Sequence, residues 1–319
     1  MEEYGTTDNC QQSAISSTAE VIGIDLGGTA IKLGRFTQDG NCIQSLTVPT
    51  PQPSYPNAVI DMMVYSIEKL APEFNNIIAI GVGTPGPADL AGRIARIAIN
   101  LADWFDIPLA TLLEARTGLP TIVGNDGNCA GLGEQWLGAG RRYQNSVLLT
   151  LGTGVGGAIF IDGKLFTGHS GAAGELGLIT LDGSGHDCNS GNNGSLEQFL
   201  SGNAIRRMTG REPLEMGKLA ADGDRHALEF WAVYGRNLGI GLTSILYVLT
   251  PEVAIIGGGI SASAAYFLPA AQREIERRVM ATSRSNFKLI TAELGNQAGI
   301  VGAAKLAWDK ISNQQYSNR

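Results

Sequence analysis

A strand, a glycine turn and a returning strand occur together twice in this chain. The first copy reads Val21-Ile22-Gly23-Ile24-Asp25-Leu26-Gly27-Gly28-Thr29 and continues Ala30-Ile31-Lys32-Leu33-Gly34. The second reads Val147-Leu148-Leu149-Thr150-Leu151-Gly152-Thr153-Gly154-Val155-Gly156-Gly157 and continues Ala158-Ile159-Phe160-Ile161. A unit repeated at this size implies a duplicated architecture. Around it, strands and helices alternate, which implies an α/β class. Strands are expected at Val21–Asp25, Ala30–Phe36, Cys42–Val48, Ile77–Val82, Thr121–Gly124 and Val253–Ile256. Helical spacing of apolar residues predicts helices at Ala58–Leu70, Pro108–Thr117, Cys129–Leu137, Ala227–Leu249 and Gly299–Ile311. Ser261 is expected to cap the helix that follows the last strand, and residues 163–195 read mostly as loop.

Glycine turns let backbone N–H groups approach phosphate oxygens without a Cβ in the way. Two of them, one per half, suggest two lobes closing on one nucleotide, and hence ATP-dependent phosphoryl transfer. Gly152–Gly157 also fits a dinucleotide fingerprint, but that motif requires a helix directly after the turn. Here an apolar strand follows, and no G-x-x-x-x-G-K-[ST] loop is present. The net charge of −7, without a run of Lys or Arg, argues against a nucleic-acid surface. No apolar stretch is long enough to span a membrane. The polar, acidic start of the chain reads as a tail rather than a secretory signal. Cys10, Cys42, Cys129 and Cys188 are too irregularly spaced for a disulfide framework, so a reducing cytoplasm is expected.

Polar residues at turn positions are the candidates for chemistry. Asp25 ends a buried strand, where it either serves a Mg²⁺ ion or caps the turn through the N–H of Gly27 or Gly28. Asp126 stands at a strand–helix junction, as a general base or as a helix N-cap. Asn100, Asn125, Glu175 and Glu197 are of the types that bind sugar hydroxyls, each accepting or donating more than one hydrogen bond. Each of these also fits an ordinary surface or capping role.

Taken in order, Asp25-Leu26-Gly27-Gly28-Thr29, Gly83-Thr84-Pro85-Gly86, Asn125-Asp126-Gly127-Asn128, Leu151–Gly157 and Gly174-Glu175-Leu176-Gly177 resemble the ROK family of bacterial sugar kinases over about residues 20–310. The resemblance implies a two-lobed actin/hexokinase-like ATPase fold, built from duplicated ribonuclease H-like domains around a cleft. It implies a tail at 1–19 and a first lobe at 20–120, completed by a C-terminal helix at 299–311. The second lobe would span 121–298. The implied activity is ATP-dependent phosphorylation of a hexose 6-hydroxyl, of the glucokinase type. Asp126 would be the base. Gly86, Asn100, Asn125, Glu175 and Glu197 would surround the sugar. Gly27, Gly28, Thr29 and Lys32, with Gly152, Thr153, Gly154 and Gly156, would face the phosphates. Gly257, Gly258 and Gly259 would lie by the adenosine, and Asp25 would hold Mg²⁺ through water. A homodimer is implied as well. Another hexose, an N-acetylated amino sugar or a non-catalytic sugar sensor remain as alternatives.

One departure stands out. Members of the family carry a zinc site made of one His, in Gly-Glu-x-Gly-His, and three Cys, in Cys-x-Cys-Gly-x-x-Gly-Cys. Here the His position is Leu178, and of the three cysteines only Cys188 remains. Tetrahedral structural zinc needs four ligands, so none is expected, and the segment is expected to fold through side-chain hydrogen bonds. The family His also touches the sugar, so Leu178 bears on sugar identity.

Overall fold

The computed structural model describes residues 16–72, 74–98 and 100–317, with side chains as far as residue 312. The expected tail therefore lies largely outside the described residues. The first lobe opens with β1 (Glu20–Leu26), β2 (Ala30–Thr37) and β3 (Cys42–Pro49), followed by α1 (Pro56–Leu70) and β4 (Ile77–Thr84). A small hairpin, β5 (Ala95–Ile97) and β6 (Phe105–Ile107), leads to α2 (Leu109–Thr117), β7 (Thr121–Asn125) and α3 (Asp126–Trp136). The second lobe begins with β8 (Ser146–Leu151), β9 (Val155–Ile161) and β10 (Lys164–Leu165). Helices α4 (Glu197–Leu200), α5 (Gly202–Thr209), α6 (Pro213–Ala221) and α7 (Arg225–Leu249) come next. The chain ends with β11 (Val253–Gly257), α8 (Ala264–Arg278), β12 (Lys288–Thr291) and α9 (Ala298–Ser317).

The two main sheets share one topology. Their strand orders are β3-β2-β1-β4-β7 and β10-β9-β8-β11-β12. In each, an antiparallel meander of three strands is extended by two parallel strands. The glycine turns occupy matching places, between the first and second strands of their sheets. The duplication expected from sequence is therefore a duplication of whole sheets. The equivalent end positions have diverged: Asp25 pairs across the ladder with Lys32, whereas Thr150 pairs with Gly156.

Each sheet buries its own core. Ile24, Leu33, Met63, Val82 and Leu113 fill the first, and Leu149, Trp231, Leu238, Ile256 and Phe267 the second, all at most 0% exposed. Side chains of this kind contribute about 1.5–3 kcal/mol each when fully buried. In the second core the polar ends of the aromatics are satisfied: Trp231 Nε1 donates to Met216 O at 3.1 Å and Tyr234 OH to Leu200 O at 2.7 Å. The second bond ties down α4, the short helix that carries Glu197. Among the described residues, no helix is long and apolar enough to cross a membrane.

Helix α9 lies on the first sheet although it ends the chain. Gly23 of β1 and Gly81 of β4 pave its seat: a Cβ there would meet Ile300 O at 2.1 Å and Ala303 O at 1.8 Å. Three expectations need correction. Thr121–Asn125, assigned from sequence to the second lobe, is hydrogen-bonded in parallel to β4 and forms the edge of the first sheet. The helix expected from Cys129 begins at Asp126, one full turn earlier. Ser261 does not cap α8: it sits inside a 3₁₀ turn, Gly259–Ser263, where its hydroxyl donates to Gly258 O at 2.7 Å.

Candidate active site

Asp126 sits where β7 passes into α3. Asn125, in extended conformation, is the N-cap, and its side-chain oxygen accepts from Asn128 N at 2.9 Å. The capping role that was open to Asp126 thus falls to its neighbour, leaving the Asp126 carboxylate at the first helical position. It accepts from Gly127 N at 2.7 Å and from Asn125 Nδ2 at 3.2 Å. Burial raises the carboxyl, the Gly127 bond opposes this, and the negative charges of Asp25 and Glu175 add to it; the outcome is about 7. A carboxylate poised near neutral pH is suited to accepting a proton from a hydroxyl at that pH.

Two cavities bear on this carboxylate, one that it lines and one lined by Glu175, whose charge it feels. Asp126 lines the first, of about 190 Å³, with Asp25, Lys32, Thr150, Gly257 and Gly258. Lys32 is the basic side chain among its lining residues, 3.6 Å from Asp25. Burial raises the Asp25 carboxyl and Lys32 pulls it back. The turn-capping alternative for Asp25 is not what the structure shows, since Gly27 N donates to Ala30 O at 2.9 Å. Gly27 O and Gly28 O in turn accept from Thr50 Oγ1 and Gln52 Nε2, at 2.7 and 3.1 Å, which fastens the first turn to the end of β3 and the segment after it.

The second cavity, of about 390 Å³, is lined by Gly86, Asn100, Thr153, Gly154, Glu175 and Glu197, and also by Leu178 and Cys188. Burial raises the Glu175 carboxyl, and the charge of Glu197 adds to it. Glu197 has a second task, accepting from Val155 N at 2.8 Å just after the glycine turn. Asn100 packs beside the first turn, where a Cβ on Gly28 would meet it at 3.4 Å. The cavity therefore draws on the second turn and on residues of both lobes.

Not every expected residue is gathered here. Asn125 does not line this cavity: its amide donates to Gly86 O at 3.1 Å, so it orders the wall rather than facing the opening. Thr153 and Gly154, expected to face phosphates, line the larger cavity rather than that of Asp25. Gly27, Gly28, Thr29, Gly152, Gly156 and Gly259 line neither. Close approach explains glycine at two places. A Cβ on Gly127 would meet Gly157 O at 3.0 Å, so the bare Gly127 lets β9 pass against the head of α3. A Cβ on Gly299 would lie 2.7 Å from the Asp25 carboxyl carbon.

Sequence reasoning missed Glu134. It is 1% exposed and lines the smaller cavity. Its carboxylate accepts from Ala139 N, Leu294 N and Glu293 N at 2.8, 2.8 and 3.1 Å. It thereby fastens α3, which carries Asp126, to the segment leading into Gly295, Asn296 and Gly299. An acid directly after the small and apolar run Cys129–Gly133 was its signal, but a solvated helix face reads the same way.

Comparisons with known proteins identify the family. A family model described as ROK family matches residues 21–310. The chain is 31% identical to a glucokinase of Thermotoga maritima, over 92% of this chain and 98% of that protein. It is 34% identical to a glucokinase of Streptomyces coelicolor, over 90% of this chain and 96% of that one. A ROK family glucokinase from Streptomyces griseus, solved with glucose and AMPPNP, superposes with a TM-score of 0.80 at 31% identity, covering 91% of this chain and 100% of that one. By its paired glycine turns, its duplicated sheets and these relatives, the chain belongs to the ROK family.

Proposed function

We propose that this chain is an ATP-dependent hexose kinase of the glucokinase type, with Asp126 as general base. The observation that carries the reading is the buried carboxyl of Asp126, which lines the cavity of Asp25 and Lys32 and feels the charge of Glu175, a residue of the cavity lined by paired carboxylates and an amide. Glucose occupies the larger cavity, with Asn100, Glu175 and Glu197 on its hydroxyls. The triphosphate of ATP enters the smaller one, beside Lys32 and the backbone of Gly257 and Gly258. Asp126 takes the proton of the sugar 6-hydroxyl as that oxygen forms its bond to the γ-phosphorus. The bond to the β,γ-bridging oxygen breaks, and ADP leaves with the electron pair.

The donor set of the smaller cavity fits Mg²⁺, a hard cation held by one or two carboxylates together with substrate phosphates. Asp25 would hold it, with water between. When bound, it supplies charge neutralisation across the phosphates. The chain's own residues do the rest. Lys32 offsets the remaining negative charge, the glycine turns allow close approach, and closure of the lobes excludes water that would otherwise hydrolyse ATP.

The test is release of ADP with Mg²⁺–ATP and glucose, in wild type and in Asp126→Asn. Sugar-dependent release by wild type alone supports the reading. A variant with near wild-type turnover removes Asp126 from the mechanism. Absence of release from folded wild type across a panel of sugars and donors, with sugar still bound, favours a sensor without catalysis.

A further inference from the structure

The wall of the larger cavity between Glu175 and Glu197 is a long excursion with little regular structure. It contributes Leu178, Cys188, Asn189 and Ser190 to the lining. In the family pattern this wall is cross-linked by zinc, through positions 178, 188, 190 and 195. These positions hold Leu178, Cys188, Ser190 and Ser195 here. Leucine cannot ligate, and neutral serine hydroxyls are poor partners for zinc beside a single thiol. His186 does not fill the gap. It is exposed, and among the described residues no three His, Cys, Asp or Glu side chains are grouped to hold a metal. The residues present do not fit zinc.

The wall is nonetheless closed. Asn192 Nδ2 donates to Leu178 O and to Thr180 Oγ1, both at 3.0 Å. Its Oδ1 accepts from Asn193 N at 2.8 Å, and its backbone oxygen accepts from Cys188 N at 2.7 Å. One side chain thus joins residues 178–180, at the end of a 3₁₀ turn, to the turn at 188–193, the two segments that the family's zinc joins. Backbone bonds extend the seam, from Leu181 N to Gly194 O and from Leu196 N to Ile179 O, each 2.8 Å. The former ligand positions still converge, with Ser190 Oγ donating to Cys188 Sγ at 3.2 Å.

We propose that Asn192 is the positioning residue that closes the sugar-side wall in place of a metal cross-link, so that sugar capture by this chain is independent of zinc. The proposal rests on the kinase reading for its substrate, though its folding consequence does not. Asn192 touches no reacting atom; it acts through the placement of Glu175 and Glu197 at either end of the segment it closes.

The experiment has a metal arm and a variant arm. Wild-type protein is assayed for zinc by elemental analysis, before and after a zinc-selective chelator, with hydrogen exchange of the amides at 178–196 as the structural readout. Zinc far below one per chain, with protection unchanged by chelator, is expected. Asn192→Asp keeps the shape and the acceptor but loses both donors. Thr180 Oγ1 can still donate to the retained oxygen, so the loss falls on the bond to Leu178 O, about 1 kcal/mol, together with the repulsion between that carbonyl and the new carboxylate, a roughly tenfold effect in all. Faster exchange at 178–181 and a sugar KM raised about tenfold, with kcat at saturating sugar changed far less, are expected. Asn193→Ala, which removes only the bond from its side chain to Asp187, should leave the KM near wild type. Stoichiometric zinc, loss of protection on chelation, or an Asn192→Asp protein with wild-type exchange and KM would each overturn the proposal. Failure of the wild type to phosphorylate glucose would instead strike the kinase reading, since the zinc and exchange measurements do not depend on it.

Discussion

An Asp126→Asn side chain keeps its size and its acceptor for Gly127 N, but it cannot ionise. Two consequences of opposite sign follow. Turnover should fall at least ~100-fold, the scale of a lost general base, while the affinity for sugar is kept. Stability should rise at alkaline pH. The wild-type carboxyl is lifted from 3.8 to about 7, chiefly by burial. Folding therefore opposes its ionisation, and the full difference corresponds to about 4 kcal/mol above pH 7. Water reaching the open cleft reduces this, so a gain of ~1–3 kcal/mol is expected for the variant. The sign is fixed by the raised value. Below pH 3.8 the carboxyl is neutral in both the folded and unfolded chain, and this contribution to the difference vanishes. Between 3.8 and about 7 the wild type loses stability relative to the variant, and above that the gap is constant. Denaturant titrations at several pH values read the gap, and coupled ADP release reads turnover. The wild-type kcat/KM should itself decline below pH about 7 as the base becomes protonated. A stability gap that does not change with pH, or a variant with near wild-type turnover, refutes the assignment of this environment and role to Asp126.

Other perturbations separate the parts of the site. Glu134→Ala leaves three backbone N–H groups without their carboxylate; a loss of at least ~3 kcal/mol is expected in denaturant titration. Gly299→Ala places a methyl group against Asp25 and should raise the KM for Mg²⁺–ATP several-fold while leaving sugar affinity near wild type, as steady-state kinetics would read. Lys32→Met should act the same way but with a salt-dependent defect, because it removes the cation of the smaller cavity. Glu197→Ala removes both a cavity carboxylate and the acceptor for Val155 N, so calorimetry should show weaker binding of sugar and of nucleotide together.

The glycine units were legible because an apolar run that stops at glycine and resumes has few structural readings. The roles of Asn125 and Asp126 were not separable, because Asn and Asp cap helices equally well and the two stand one residue apart. Only the backbone geometry shows which one caps. The place of Thr121–Asn125 was misjudged for a related reason: a short strand records its own burial but not its pairing partner, and β4 lies far back in the chain. The hairpin of Ala95–Ile97 and Phe105–Ile107 was invisible because three-residue strands carry no period. Glu134 went unnoticed since its backbone partners at 293 and 294 are distant in sequence. The hydrogen-bonded wall at 178–196 was foreseen in kind from the missing ligands, whereas the identity of Asn192 as its clasp required coordinates.

The glycine-paved seat of α9 has a consequence for the order of biosynthesis. Protein domains ordinarily mature from the N-terminus while translation is still under way. Here a sheet made early must wait for a helix made much later, and the contacts between Gly23 and Ile300 and between Gly81 and Ala303 span most of the chain. Closing so long a loop slows folding. Until α9 leaves the ribosome, β1 and β4 present a bare apolar face, a natural station for a chaperone. The larger core of the second lobe is drawn from residues 147–279, ahead of α9, so a stop codon ahead of α9 should harm most the half of the protein that is translated first.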